Sequence, residues 1–175
     1  PKKQLKKKNR FFTALGLVLL DILIACVFIS LSVGVIAIAA IAVSSAAAGV
    51  LLIAKMNIAS LIPVMPYKSA VVFAVGFLSL AILMFITAVY GFMWFKQLIS
   101  SYARFHKNCM AKASNEAVYP AKATFLQISG KLKRALRGTI LISLVIFIIA
   151  FISGYAISAF DAKSFEFWHV WEWFQ

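Results

Sequence analysis

The stretch FFTALGLVLLDILIACVFISLSVGVIAIAAIAVSSAAAGVLLIA, residues 11–54, decides how this chain folds. It is 44 residues long and holds one charge, Asp21. As a single helix rising about 1.5 Å per residue it would be about 66 Å long. The hydrocarbon core of a bilayer is about 30 Å thick. One straight helix overshoots that core twofold, so the sequence predicts that the run folds back. The candidate breaks are Ser30–Gly34 and the SSAAAG stretch at 44–49.

The rest of the chain explains why lipid is the relevant solvent. Of its 175 residues, 63% are hydrophobic, and the mean hydropathy is +0.96. A soluble domain is nearer 45–50% apolar. A soluble fold of this size could not hide so much apolar surface. Residue 1 is proline, so the natural protein is expected to begin earlier. Two further apolar runs follow, Ala70 to Phe95 and Thr139 to Phe160. Hydropathy alone therefore counts four spans, near 11–31, 33–54, 70–95 and 139–160. Between them lie a short loop at 55–69 and a basic segment at 96–138. A basic flank at 1–10 precedes the first run, and an aromatic segment at 161–175 follows the last.

The net charge of +13 is concentrated in blocks. Residues 1–10 hold six basic residues and no acid, and residues 96–137 hold nine basic residues and one acid, Glu116. Residues 159–175 hold three acids and one lysine. Such blocks read as membrane topology and contact with anionic headgroups. Nucleic-acid binding is set aside, because both basic blocks abut hydrophobic runs.

Charge and hydropathy disagree about the count. The basic N-terminus belongs on the inside. Four full spans would then put 96–137 outside, against the positive-inside rule. An odd number of crossings before residue 70 repairs this. One way is to make 33–54 a re-entrant hairpin tipped at SSAAAG, with its non-helical backbone covered by protein or water. The other reading keeps four spans and accepts an exceptional charge bias. Three spans and four spans both stand.

The basic segment shows helical order. From Phe95, apolar residues recur at Leu98, Ile99, Tyr102, Phe105 and Cys109, with Lys96, Arg104 and Lys107 on other faces. The preceding span can run on as one long helix. SNEAVYP at 114–120 is a turn signal. A second helix is expected beyond it, with Phe125, Ile128, Leu132 and Leu136 on one face. Lys131, Lys133, Arg134 and Arg137 crowd its membrane end as candidate contacts for anionic lipid or a partner. A solvated hairpin whose charge only sets topology is the plainer reading.

Asp21 is the candidate intramembrane polar site. A charge at the centre of a spanning helix costs about 2.5–3.5 kcal/mol on insertion scales. No Lys, Arg or His lies in the same run to pair with it. An ion or proton site competes with a protonated or serine-bonded carboxyl packed in the bundle, or one drawn toward the interface. Ser45 and Gly49, four apart, form a small-xxx-small pair that favours close helix packing, with a homo-oligomer face as the second reading. Cys26 and Cys109 have no metal-type spacing, and neither His106 nor His169 sits in a ligand cluster. No phosphate-binding loop, dinucleotide fingerprint or nucleophile elbow is found. The expectation is a non-enzyme without cofactors.

The tail KSFEFWHVWEWFQ, residues 163–175, is rich in aromatic residues. On helical spacing Phe167, Trp168, Trp171 and Phe174 share one side. Indole rings favour the headgroup level, so these four are read as an interfacial anchor. The tail is net acidic and is placed outside.

One order of segments runs through all this. KKKNRFF at 6–12 leads into an apolar segment with one Asp. AVGFLSLAILMF at 74–85 and SYARFHKN at 101–108 follow. LRGTILISLVIFIIAFISGY at 136–155 and FEFWHVWEWF at 165–174 complete it. The order resembles the transmembrane region of the bacterial HAAS-domain-linked membrane protein family, whose function is unknown. The resemblance implies a helical HAAS domain on the cytoplasmic, N-terminal side and an association with PadR-type regulators. It implies no catalytic or binding residues.

The expectation is thus an all-α integral membrane protein of the bacterial cytoplasmic membrane, with three to four transmembrane helices. It carries a basic cytoplasmic helical hairpin and a C-terminal interfacial aromatic helix. Its expected role is a scaffold or signalling component working through other membrane or envelope proteins. A transporter or channel subunit using Asp21 is the alternative.

Overall fold

A computed structural model describes residues 2–56, 65–114, 116–120 and 129–166, with side chains from residue 11 onward. The described residues form three helices and no strand. These are α1 (Lys2–Ala54, 53 residues), α2 (Tyr67–Ser114, 48 residues) and α3 (Gly130–Ala162, 33 residues). At about 1.5 Å per residue they are about 80, 72 and 50 Å long. Each is long and apolar enough to cross a bilayer. The chain is an all-α membrane protein.

The expected fold-back within 11–54 is not found: α1 runs through both candidate breaks. The physical reason differs at the two places. At the first, Ser30 Oγ donates to Cys26 O at 3.0 Å and Ser32 Oγ donates to Ile29 O at 2.8 Å. The hydroxyls bond back onto their own helix instead of opening a turn. At the second, Ser45 and Gly49 are buried. Their small size serves helix packing, not chain reversal. In the basic segment the preceding span does run on as one long helix. α2 carries the apolar run and the Lys96–Lys112 stretch as one helix, and α3 begins at Gly130 and enters its apolar run unbroken. Phe125, Ile128 and the aromatic anchor Phe167, Trp168, Trp171 and Phe174 lie outside the described residues.

The ends of these helices are set by local chemistry. Ser129 caps α3, accepting from the Leu132 N–H at 3.4 Å. At the other ends, Lys55 and Lys163 take left-handed φ values of 53°. Met56 N–H then reaches Leu51 O at 3.2 Å, and Ser164 N–H reaches Ala159 O at 3.2 Å. This is the bonding of a Schellman close, where glycine is the usual residue. Lys163→Gly is therefore expected to stabilise by about 1 kcal/mol. Lys55→Gly is expected to be near neutral. It would lose the ammonium held 4.1 Å from the Tyr67 ring centroid, a contact worth about 0.5–1 kcal/mol. Denaturant unfolding of the two variants in detergent checks the contrast.

A stripe with a seven-residue repeat runs along α1. Leu17, Asp21, Ile24, Phe28, Leu31, Val35, Ile38, Ala42, Ser45, Gly49 and Leu52 alternate steps of four and three, and each is buried or half-buried. This is the seam pattern of paired helices. Contacts divide the chain into two units. One is Pro1–Ile36 with Val89–Ile128, and the other is Ala37–Ala88 with Ser129–Gln175.

In the second unit the seam residues are small. A Cβ built on Gly49 would stand 2.8 Å from Leu78 Cγ and 3.1 Å from the Ala74 carbonyl oxygen. The backbones of α1 and α2 touch there because nothing larger than hydrogen intervenes. α3 joins the same way. Gly154 presses on the Phe73 ring, at 3.0 Å for a built Cβ, and Phe73 meets Phe151 edge-on at 6.1 Å. Large apolar side chains such as Val43, Val50, Phe85 and Ile152 point outward. Small residues inside and large ones outside is the arrangement lipid permits, since tails are as apolar as leucine.

Candidate functional site

In the first unit the seam is built of larger side chains. Val35 packs on Gly91, where a Cβ would come 3.2 Å from Val35 Cγ2. About two turns nearer the N-terminus, Phe28 meets two rings of α2 edge-on. These are Phe95 at 5.9 Å and Tyr102 at 5.6 Å, and Tyr102 in turn stacks against Phe105 at 6.2 Å.

Asp21 is the next polar event on this seam. Its Oδ1 accepts a short hydrogen bond from Tyr102 Oη. Its Oδ2 lies 3.4 Å from His106 Nε2. Tyr102 and His106 are four apart on α2, so one face of that helix brings both to one carboxylate. The aspartate that had no partner in its own run takes two from a segment more than eighty positions away. Helical spacing marked Tyr102 only as an apolar-face residue, and His106 stood outside any cluster. The available signal was that Asp21 occupies a position of the stripe with the seven-residue repeat, which obliges the facing helix to answer it.

The pair is not sealed. The side chains of Asp21 and His106 are 41% and 39% exposed. The carboxylate is held on one side by α2 and open on the other. Chemically the cluster can clamp two helices in register, as a single polar residue does in an apolar coiled-coil seam. Among the described residues no three His, Cys, Asp or Glu side chains gather as a metal site.

Beyond Tyr102 the chain is tied back onto α2. Asn108 Nδ2 donates to Tyr119 O, and Tyr119 N–H donates to Asn108 Oδ1, both at 2.9 Å. Arg104 Nη1 donates to Pro120 O at 3.3 Å. This explains the turn read in SNEAVYP. Lys131, Lys133, Arg134 and Arg137 stand exposed on the first turns of α3. They belong to the second unit. That unit also holds an apolar groove of about 500 Å³ between α1 and α2, floored by Ala42, Ala46 and Ala81 and walled by Val43, Ile82 and Phe85. No family model, no curated protein and no solved structure matches the chain, so its reading rests on the chemistry of its own residues.

Proposed function

We propose that this protein is a non-enzymatic scaffold or signalling component of the bacterial cytoplasmic membrane, acting through other envelope proteins. The observation that carries this reading is the Asp21–Tyr102–His106 contact. The one acid of residues 11–54 is spent on joining two helices, which makes a registered hairpin and not an open polar path. A hairpin fixed in register transmits displacement along its length, which is what a coupling element requires. The outward-facing large apolar residues supply surface for lipid and for other spanning helices.

Three crossings support an orientation. They bring the basic N-terminal block and the basic 96–137 block to one side and the acidic end to the other, as the positive-inside rule asks. We place the N-terminus inside and the C-terminus outside. Lys131, Lys133, Arg134 and Arg137 then meet the anionic inner headgroups, each worth about 1 kcal/mol of attraction. The segment order also supports reading the chain as the membrane part of a HAAS-linked protein. A helical domain on the N-terminal side of the full-length protein would bear that out.

Two measurements test these proposals. In intact cells, Cys109 is expected to resist a membrane-impermeant thiol reagent until the membrane is permeabilised; labelling beforehand overturns the orientation. In proteoliposomes, Asp21→Asn is expected to leave ion and solute flux unchanged from the parent. A parent flux that the variant abolishes would replace the scaffold reading with that of a transporter subunit.

A further inference from the structure

A helix gives a serine or threonine hydroxyl an acceptor of its own, the carbonyl one turn back. Ser79 Oγ donates to Gly76 O at 2.7 Å, Thr87 Oγ1 to Leu83 O at 2.8 Å and Thr139 Oγ1 to Ala135 O at 3.1 Å. Three described hydroxyls do not use it. Ser69, Ser101 and Ser158 are buried at Oγ and have no hydrogen-bond partner among the described residues. Ser101 lies in the first unit, whereas Ser69 and Ser158 share the second. Those two are also the most deeply buried polar residues described, at 0% and 3% exposed. A hydroxyl sealed away without a partner loses its hydration and gains nothing for it.

Register brings the two together. In the second unit α3 runs antiparallel to α2, with Gly76 opposite Ala150 and Phe73 against Gly154. A step of four residues from Phe73 toward the start of α2 reaches Ser69. The same step from Gly154 toward the end of α3 reaches Ser158. Positions four apart share a helix face, and both steps advance about 6 Å in the same direction. The two hydroxyls therefore stand at one level, on the faces by which α2 and α3 meet. That level is close to the helix ends. Ser69 is the third residue of α2, and Ser158 stands four before the last residue of α3. The first-turn N–H groups of a helix have no acceptor within it, so the amide of Ser69 adds a third polar group there.

We infer that Ser69 and Ser158 form one polar site across the α2–α3 contact, and that its ligand is a single water molecule. Water both donates and accepts, so one molecule serves both hydroxyls and the first-turn amide. Buried waters typically make about three such bonds. An ion does not suit the site. The buried polar residues described are all serines, and nothing among them balances a charge. Acyl chains offer no hydrogen bond at all. Each hydroxyl lies within about one turn of its helix end, which gives water a short way in. The bridge ties α3 to α2 at a fixed level, where the neighbouring contacts of Phe73 with Gly154 and Gly76 with Ala150 are apolar and non-directional. The inference depends on neither the scaffold role nor the orientation.

Two measurements on the full chain in detergent micelles test it. The first needs no substitution. Nuclear Overhauser transfer from water to the Ser158 amide is expected, with none at the Ala150 amide two turns deeper in α3. No transfer at Ser158 overturns the water site. The second is a double-mutant cycle read by denaturant unfolding. Ser69→Ala and Ser158→Ala are each expected to lower the folding equilibrium constant about five- to tenfold. The double variant is expected to lower it by no more than about tenfold, because either change alone breaks the shared bridge. Losses that multiply, or no loss in either variant, show that the hydroxyls act separately and overturn the site. Coupled losses without water transfer show a direct bond between the two hydroxyls and overturn the water. Ser79→Ala combined with Ser158→Ala is the control. Ser79 bonds to its own helix, so those two losses are expected to multiply.

Discussion

Replacing Gly49 with leucine is expected to destabilise the helix bundle by at least about 3 kcal/mol, because overpacking a tight contact costs about 1–3 kcal/mol and sometimes more. Even one methyl is too many there. The first carbon would meet Leu78 Cγ at 2.8 Å and the backbone oxygen of Ala74 at 3.1 Å. A side chain can rotate away, but a helix carbonyl cannot. Gly49→Ala is accordingly expected to cost about 1–3 kcal/mol. The internal control is Gly34→Ala on the same helix, where nothing stands within 4 Å of the added carbon. That change is expected to stabilise by about 0.5–1 kcal/mol, since alanine loses less backbone entropy than glycine in a helix. Denaturant unfolding in detergent reads both. Equal effects at the two positions would mean that α1 and α2 do not meet at Gly49.

The second large effect is expected at Tyr102. A hydrogen bond to a charged group contributes about 1.5–3 kcal/mol. Asp21 is partly exposed, so the lower end applies, and Tyr102→Phe should cost about 1.5 kcal/mol. Asp21→Asn weakens the same bond from the other side. The two changes together are expected to cost less than their separate costs combined, with a coupling of about 1 kcal/mol. His106→Gln should cost less than about 1 kcal/mol, as suits a partly exposed pair at longer range. A strictly additive Asp21–Tyr102 cycle would show that the two side chains do not act on each other. Either variant is also a direct probe of register, because the aspartate is the one charged residue of the seam.

Several features were legible before any coordinates. Composition required lipid, charge blocks required an odd number of crossings before residue 70 or an unusual bias, and helical spacing after Phe95 extended the second apolar run into basic sequence. These are local or summed properties, which a chain carries whatever it packs against. The error at 30–34 and 44–49 has a physical origin. Serine and glycine favour turns when the backbone must find solvent, but they favour close helix contact when no water is near. The two uses look the same in one dimension. Ser30 and Ser32 bond to their own helix, and Gly49 lies beneath Leu78.

The candidate site was half legible in the same sense. Asp21 was conspicuous as a lone charge in an apolar run, but its meaning depended on what faced it. Its partners are 81 positions away at Tyr102 and farther still at His106. By itself, then, the sequence determined the apolar surroundings and the helical class. Both follow from transfer free energies and backbone propensities summed along the chain. Only the tertiary structure decided that residues 11–54 form one helix and that Asp21 is a clamp. Both outcomes depend on which side chains of a second helix arrive opposite each position, and that is a property of packing in three dimensions.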